Sequence, residues 1–470
     1  MRKFLVTFVG VLLLAGGLAL PQTATNLILV HTNDMHGQVL PRDGSGGMAE
    51  LATVIRRERP DLILDGGDMF TGTMISDEFF GKAMIEILNK IGYAAVALGN
   101  HEFDYGVPEL RNRLKEARFP VLSANVSGVP EVQPYTILNV KGLRIGVIGL
   151  TVENLSDVTH PKNLSTIKVV RPVDALRDIL PKVRPLADLI FLVAHVTFEE
   201  QVQVAKAFPE IRVIVAGHPH MSRTTQVGQT LIVETGVSTQ NVGKVEIRLN
   251  GKTIESMTSQ MIPVRGVAKD PEIQSIIAPY ERQLAARSAE RIGEATDFLV
   301  KSDSQESPLN NFLADAIRDF AGTQIAFHNV GGIRAPLRKG PITKGDMYEV
   351  LPFQNTVVKM SLSGAQMKHL LARRVIAVSG VQVSWDTTRP YPNLLVSATL
   401  ANGQPIQDAT RYTVATNDFM AAGGDGLAEL NQGASIEDTG TLLRDAVASY
   451  LMKHPVVSAA TDGRVTIRSR

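Results

Sequence analysis

The stretch LILVHTNDMHG, residues 27–37, runs through four apolar residues, turns at once into small and polar ones, and places Asp34 and His36 two positions apart. A short unbroken apolar run fits a strand buried on both faces, as in a layered α/β sheet, better than a strand with one wet face. The theme recurs in apolar runs at residues 62–64, 94–98, 145–148, 189–194, 213–216 and 231–233. Segments with helical spacing, at 48–59 and 79–91, lie between several of these runs. Strands alternating with helices predict an α/β fold for residues 27–235.

The polar residues at the end of each run carry the chemistry. The runs end in HTNDMHG, DGGD, GNHEFD, AHVTFEE and AGHPH, supplying Asp34, His36, Asp68, Asn100, His101, Asp104, His195, His218 and His220. The carboxyl ends of strands line the ligand crevice of an α/β sheet, so residues from Asp34 to His220 converge there. Any one block alone reads as a polar turn after a strand. Together they gather five of the ten histidines at strand ends, which scattered structural histidines would not do.

Composition narrows the classes. A chain of 470 residues is too long for one core and predicts two or three domains. With 48 basic against 47 acidic residues and no long run of either sign, nothing marks a nucleic-acid or anionic-membrane surface. Arg2 and Lys3 precede an apolar segment, 4–20, with Gly17 and Ala19 near its end, the layout of a secretory signal peptide. An uncleaved anchor is the other reading of so short a segment, and either implies export to the periplasm or beyond the cell. Cysteine is absent, so any metal site must use His, Asp, Glu, Asn or Gln. Zinc, manganese or cobalt accept such mixed donors. Two ions about 3.5–4 Å apart, bridged by a carboxylate, clamp a phosphoryl group and activate water for in-line attack.

Residues 266–292 carry Ile273, Ile276, Ile277, Tyr280 and Leu284 at helical spacing and read as a helical connector that Pro279 should kink or divide. Beyond it, glycine-rich turns and β-prone runs such as TQIAFHNVGGIR, VLPFQNTVVKMSLSG and RYTVATNDFMAAGGDG predict a separate α+β domain. The expected layout is a signal peptide at 1–25, a catalytic domain at 26–265, the connector at 266–292 and a substrate domain at 293–470.

The five blocks, in this order and at these separations, resemble the calcineurin-like metallophosphoesterases, and within them the exported bacterial 5′-nucleotidases. GNHEFD is the most specific of them. The resemblance implies that Asp34, His36 and His220 hold one metal, that Asn100, His195 and His218 hold the other, and that Asp68 bridges them. It also implies that His101, oriented by Asp104, stabilises the phosphoryl transition state or protonates the leaving oxygen. Asp65 is left outside the site, as a cap of the turn before Gly66 or as a support for the ligands.

The second half resembles the C-terminal substrate domain of the same family. Phe353 and Phe419 match aromatics that sandwich a base, and Asn329, Arg334 and Asp425 match positions for base, phosphate and ribose, with Asn355 a further candidate. Gln305 stands where the family commonly has a phosphate-clamping arginine, which leaves Arg334 as the principal guanidinium. The implied activity is two-metal hydrolysis of nucleotide phosphate esters, with a nucleotide-sugar or dinucleotide pyrophosphatase, or a 2′,3′-cyclic phosphodiesterase with 3′-nucleotidase activity, as enzymic rivals. A non-catalytic nucleotide-binding or surface-interaction protein is the rival of another class.

Overall fold

The computed structural model describes residues 24–469; the apolar leader at 4–20 lies outside them. Among the described residues no helix is long and apolar enough to cross a membrane.

The apolar runs of the first half become the central strands of two six-stranded sheets rather than one. In the first, Ala24–Thr32, Leu62–Asp65, Ala95–Ala97 and Val121–Leu122 pair in parallel, and the hairpin Asn241–Asn250 and Thr253–Pro263 adds an antiparallel flank. In the second, Leu143–Thr151, Leu189–His195, Ile211–Gly217 and Thr230–Thr235 pair in parallel between antiparallel edges. The sheets pack face to face: Leu27, Leu29 and Leu64 of one share a core with Val147, Phe191 and Val215 of the other. Helices cover both outer faces, with Val30, Ile63 and Val96 under Met48–Arg57 and Lys82–Ile91, and Ile148, Leu192 and Ile214 under Pro172–Val183 and Phe198–Ala207. Burial on both faces is why these strands read as unbroken apolar runs.

Two helical expectations change. The segment read as one helix from 79 begins at Lys82, because Gly81 at its N-terminus is left-handed (φ 76°) and follows a short separate helix, Met74–Glu78. The connector is a single helix, Pro271–Ser288, running through Pro279. Pro279 is exposed, so the carbonyl it leaves unpaired faces water. The opposite stripe, Ile273, Ile277 and Leu284, is locked into the first half's core, and Tyr280 donates to Glu86 at 2.8 Å. Asp270 caps the helix, accepting from the backbone N–H groups of Glu272 and Ile273 at 3.0 and 3.1 Å.

The second half centres on a mixed five-stranded sheet: Ala377–Ser379, Ile325–His328, Arg411–Asn417, Thr356–Ser363 and Ala434–Leu442. Helices Pro308–Ala321 and Leu443–Lys453 cover one face, and Gly364–Arg373 and a three-stranded sheet the other.

Candidate metal and substrate site

Parallel pairing puts the carboxyl ends of the inner strands on one edge of the sandwich. Thr32 pairs with Asp65, Asp65 with Val96, and His195 with both Gly217 and Thr151. The loops leaving those ends meet across the sheets. Asp34 N–H donates to the Gly67 carbonyl at 2.9 Å, and His36 N–H to that of Asp68 at 3.0 Å. So close an approach needs residues without side chains: a Cβ on Gly99 would lie 2.1 Å from Asp68 Oδ1.

All seven residues expected to hold metal come together here. Oxygen and nitrogen donors of Asp34, His36, Asp68 and His220 lie within 4.8 Å of one another. His36 Nε2 and His220 Nε2 are 3.0 Å apart, and His220 Nε2 is 3.3 Å from Asp34 Oδ1. Asn100 Oδ1 lies 3.1 Å from both His195 Nε2 and His218 Nδ1, and His195 Nε2 is 3.0 Å from Asp68 Oδ2. His195 Nδ1 meets the Gly66 carbonyl at 3.0 Å, an arrangement that places the proton on Nδ1 and leaves the Nε2 lone pair to the site.

Five of these seven, Asp34, His36, Asp68, His218 and His220, have positive φ, between 46° and 89°. Non-glycine residues adopt this region at a cost of about 1–3 kcal/mol each, and such residues cluster at ligand and catalytic sites. The electrostatics agree. Burial opposes charge on Asp68, yet the imidazoles of His195 and His101 hold its carboxyl well below the usual range. Buried carboxylates facing converging imidazoles form a donor set that divalent cations satisfy.

His101 lies beside the cluster. Its Nδ1 is 2.7 Å from Asp104 Oδ2, and its Nε2 3.9 Å from Asp68 Oδ2. Asp104 and Asp68 lift its pKa against the effect of burial. Asp65 accepts from Gly67 N–H at 2.8 Å and from the Thr32 hydroxyl at 2.7 Å, so it braces the DGGD turn.

A cavity of about 380 Å³ opens from this cluster, with walls from both halves. Asn329, Arg334, Phe353, Asn355, Phe419 and Asp425 all line it. Phe353 stacks on His101, ring centroids 5.4 Å apart at 20°. Arg334 Nη2 is 3.3 Å from His36 Nε2, and Arg334 makes no ion pair among the described residues. Asp425 Oδ2 is buried without a partner. Gln305 is exposed and does not reach the cavity wall.

Sequence reasoning passes over two buried supports. Glu102, inside GNHEFD, accepts from the N–H groups of Gly99 at 2.7 Å, Asp68 at 3.1 Å and Met69 at 2.7 Å, tying the DGGD loop to the GNHEFD loop. Asn33 donates to Asp34 Oδ2 at 2.6 Å and accepts from Thr235 N–H at 2.7 Å. Their signal is membership of blocks whose other polar residues face the site.

Strand-end carboxylates, amide and imidazoles on this sandwich define a metal-dependent phosphoester hydrolase with a binuclear divalent-metal site. The profile of the calcineurin-like phosphoesterases matches residues 27–222, and that of the 5′-nucleotidase C-terminal domain residues 288–432. The two halves of the chain thus match the two domains of the 5′-nucleotidases, a calcineurin-like phosphoesterase domain followed by a 5′-nucleotidase C-terminal domain. It is 26% identical to snake venom 5′-nucleotidase of Gloydius brevicauda over 98% of this chain and 92% of that protein. To the protein UshA of Yersinia enterocolitica it is also 26% identical, over 93% and 92%. The crystal structure of a 5′-nucleotidase precursor from Thermus thermophilus superposes with a TM-score of 0.89 at 29% identity, covering 95% of this chain and 100% of that one.

Proposed function

We propose that this protein is an exported 5′-nucleotidase that cleaves a nucleoside 5′-phosphate to nucleoside and phosphate, with residues 26–265 as catalytic domain and 293–470 as substrate domain. Asp34, His36 and His220 would hold one divalent ion, Asn100, His195 and His218 the other, and Asp68 both. When bound, the ions neutralise phosphoryl charge and lower the pKa of water. The chain's own groups supply the rest. Arg334 attracts the phosphate at the imidazole end of the cavity. His101, its ring fixed through Nδ1 by Asp104, directs Nε2 at the leaving oxygen. Phe353 and Phe419 bury the base, Asn329 and Asn355 offer amides to its edge, and Asp425 Oδ2 accepts from a ribose hydroxyl. Zinc, manganese and cobalt all suit the donors.

The observation that carries this reading is one cavity with an arginine free of ion pairs beside the imidazole cluster at one end and, at the other, aromatic rings and Asp425, whose Oδ1 pairs with Arg374 while its buried Oδ2 is left without a partner. The test is product release from 5′-mononucleotides, nucleotide sugars, dinucleotides, 2′,3′-cyclic nucleotides and an aryl phosphate, with added manganese, zinc or chelator. Nucleoside 5′-phosphates are expected to have the highest kcat/KM, chelator to abolish turnover, and His101→Ala to lower kcat by about 10²–10⁴-fold. Preference for another member of the panel reassigns the substrate, and turnover indifferent to chelator and His101→Ala removes the reading.

A further inference from the structure

Part of the nucleoside end of the cavity is built by the catalytic half. After strand Leu143–Thr151 the chain leaves the sandwich, forms the short helices Leu155–Val158 and Pro161–Leu164, and lays residues 158–163 along the cavity wall. This segment holds three things at once. It grips the catalytic loop: the Thr159 hydroxyl donates to the Asn100 carbonyl at 3.1 Å, and Asn163 Nδ2 to the Asp104 carbonyl at 3.0 Å. It crosses to the other half, where Lys162 Nζ is 2.9 Å and His160 Nε2 3.1 Å from Asp418 Oδ2. It also abuts the aromatic wall, the His160 ring standing edge-on to Phe419 with centroids 6.5 Å apart.

Asp418 is the second part of the device. Its side chain is 8% exposed, and its other oxygen accepts from Thr356 N–H at 3.2 Å. Asp418 directly precedes Phe419, and Thr356 directly follows Asn355, so one carboxylate ties together both loops that carry the rings. Burial opposes charge on its carboxyl, yet His160 and Lys162 of the catalytic half hold its pKa down. A buried carboxylate keeps its place only while such partners remain, because loss of one leaves an uncompensated charge.

Resting on the nucleotidase reading, we propose that His160 and Lys162 are positioning residues for nucleoside selectivity. Through Asp418 they hold the Phe353 and Phe419 loops in register with the segment that carries Asn100, His101 and Asp104, so that a bound nucleoside presents its phosphate to the site. An ester without a nucleoside gains nothing from this contact.

The test compares a purine nucleoside 5′-monophosphate with p-nitrophenyl phosphate under saturating manganese, in wild type, Lys162→Ala, the double variant His160→Ala/Lys162→Ala, and Lys162→Arg. The ratio of kcat/KM for the nucleotide to that for the aryl ester is expected to fall about tenfold in the double variant, mainly through KM, with Lys162→Arg within about threefold of wild type. Lys162 is 60% exposed at its side chain, so the single variant folds even where the double one does not, and its ratio is expected to fall in the same direction. A ratio unchanged within twofold, or an equal loss on both substrates, overturns the proposal. A wild type with no preference for the nucleotide overturns the nucleotidase reading and this one together; preference kept in the variants overturns this one alone.

Discussion

Asp77 shows how much a single buried group does outside the chemistry. It lies under the loop after Asp68, accepting from the Tyr105 hydroxyl at 2.7 Å and from Gly72 N–H at 3.4 Å through Oδ1, while Oδ2 is buried without a partner. Burial pushes its pKa up to about 7. The folded pKa exceeds the unfolded value of 3.8, so the native state binds the proton more tightly, and this contribution to stability is complete below pH 4 and lost as pH rises through 7. Asp77→Asn keeps the Oδ1 acceptor and removes the titration. Its stability should therefore gain on wild type by about 2–4 kcal/mol between pH 5 and pH 8, read from urea unfolding at the two pH values. Parallel pH profiles for the two proteins would contradict this. The same residue marks a limit of sequence reading. His101 and Asp104 stand out because they sit at a strand end in a dense polar block, whereas Asp77 looks like an ordinary surface acid until burial is known.

At the scale of elements, strands are legible because burial on both faces writes an unbroken apolar run, whereas the connector helix misleads because Pro279 reads as a breaker as long as the face it occupies is unknown. That helix is packed into the first half, against Met48–Arg57 and Lys82–Ile91. The strand Arg291–Ala295 begins the second half, and the Glu290 carbonyl accepts from Lys344 N–H at 2.9 Å. The joint between halves is thus the pair Ala289 and Glu290, directly after the helix ends at Ser288. Ile277, 1% exposed, anchors the helix. Ile277→Ala should cost about 2–5 kcal/mol in unfolding free energy and lower the first thermal transition. A loss under about 1 kcal/mol would mean the helix is not part of that core.

Over the whole molecule, the strained donors and buried carboxylates make cation binding and stability one quantity. At a free ion concentration about 100 times Kd, binding should stabilise the fold by about 2.7 kcal/mol, a rise of about 5–10 °C in the midpoint of the catalytic half. Chelator should reverse the rise and Asp68→Ala should abolish it. A midpoint indifferent to metal in the wild type would remove the metal site. What no local pattern reveals at this scale is contact across the halves. His160 and Asp418 lie far apart in sequence, and neither sits in a stretch whose spacing advertises a partner.

The donors leave the ends of strands spread from Ala24–Thr32 to Ile211–Gly217, so no short fragment of the chain brings them together. Contacts of such sequence separation form late in folding. Metal affinity and native topology therefore arrive together, and the ion that fills the site is the one at hand when these strand ends meet.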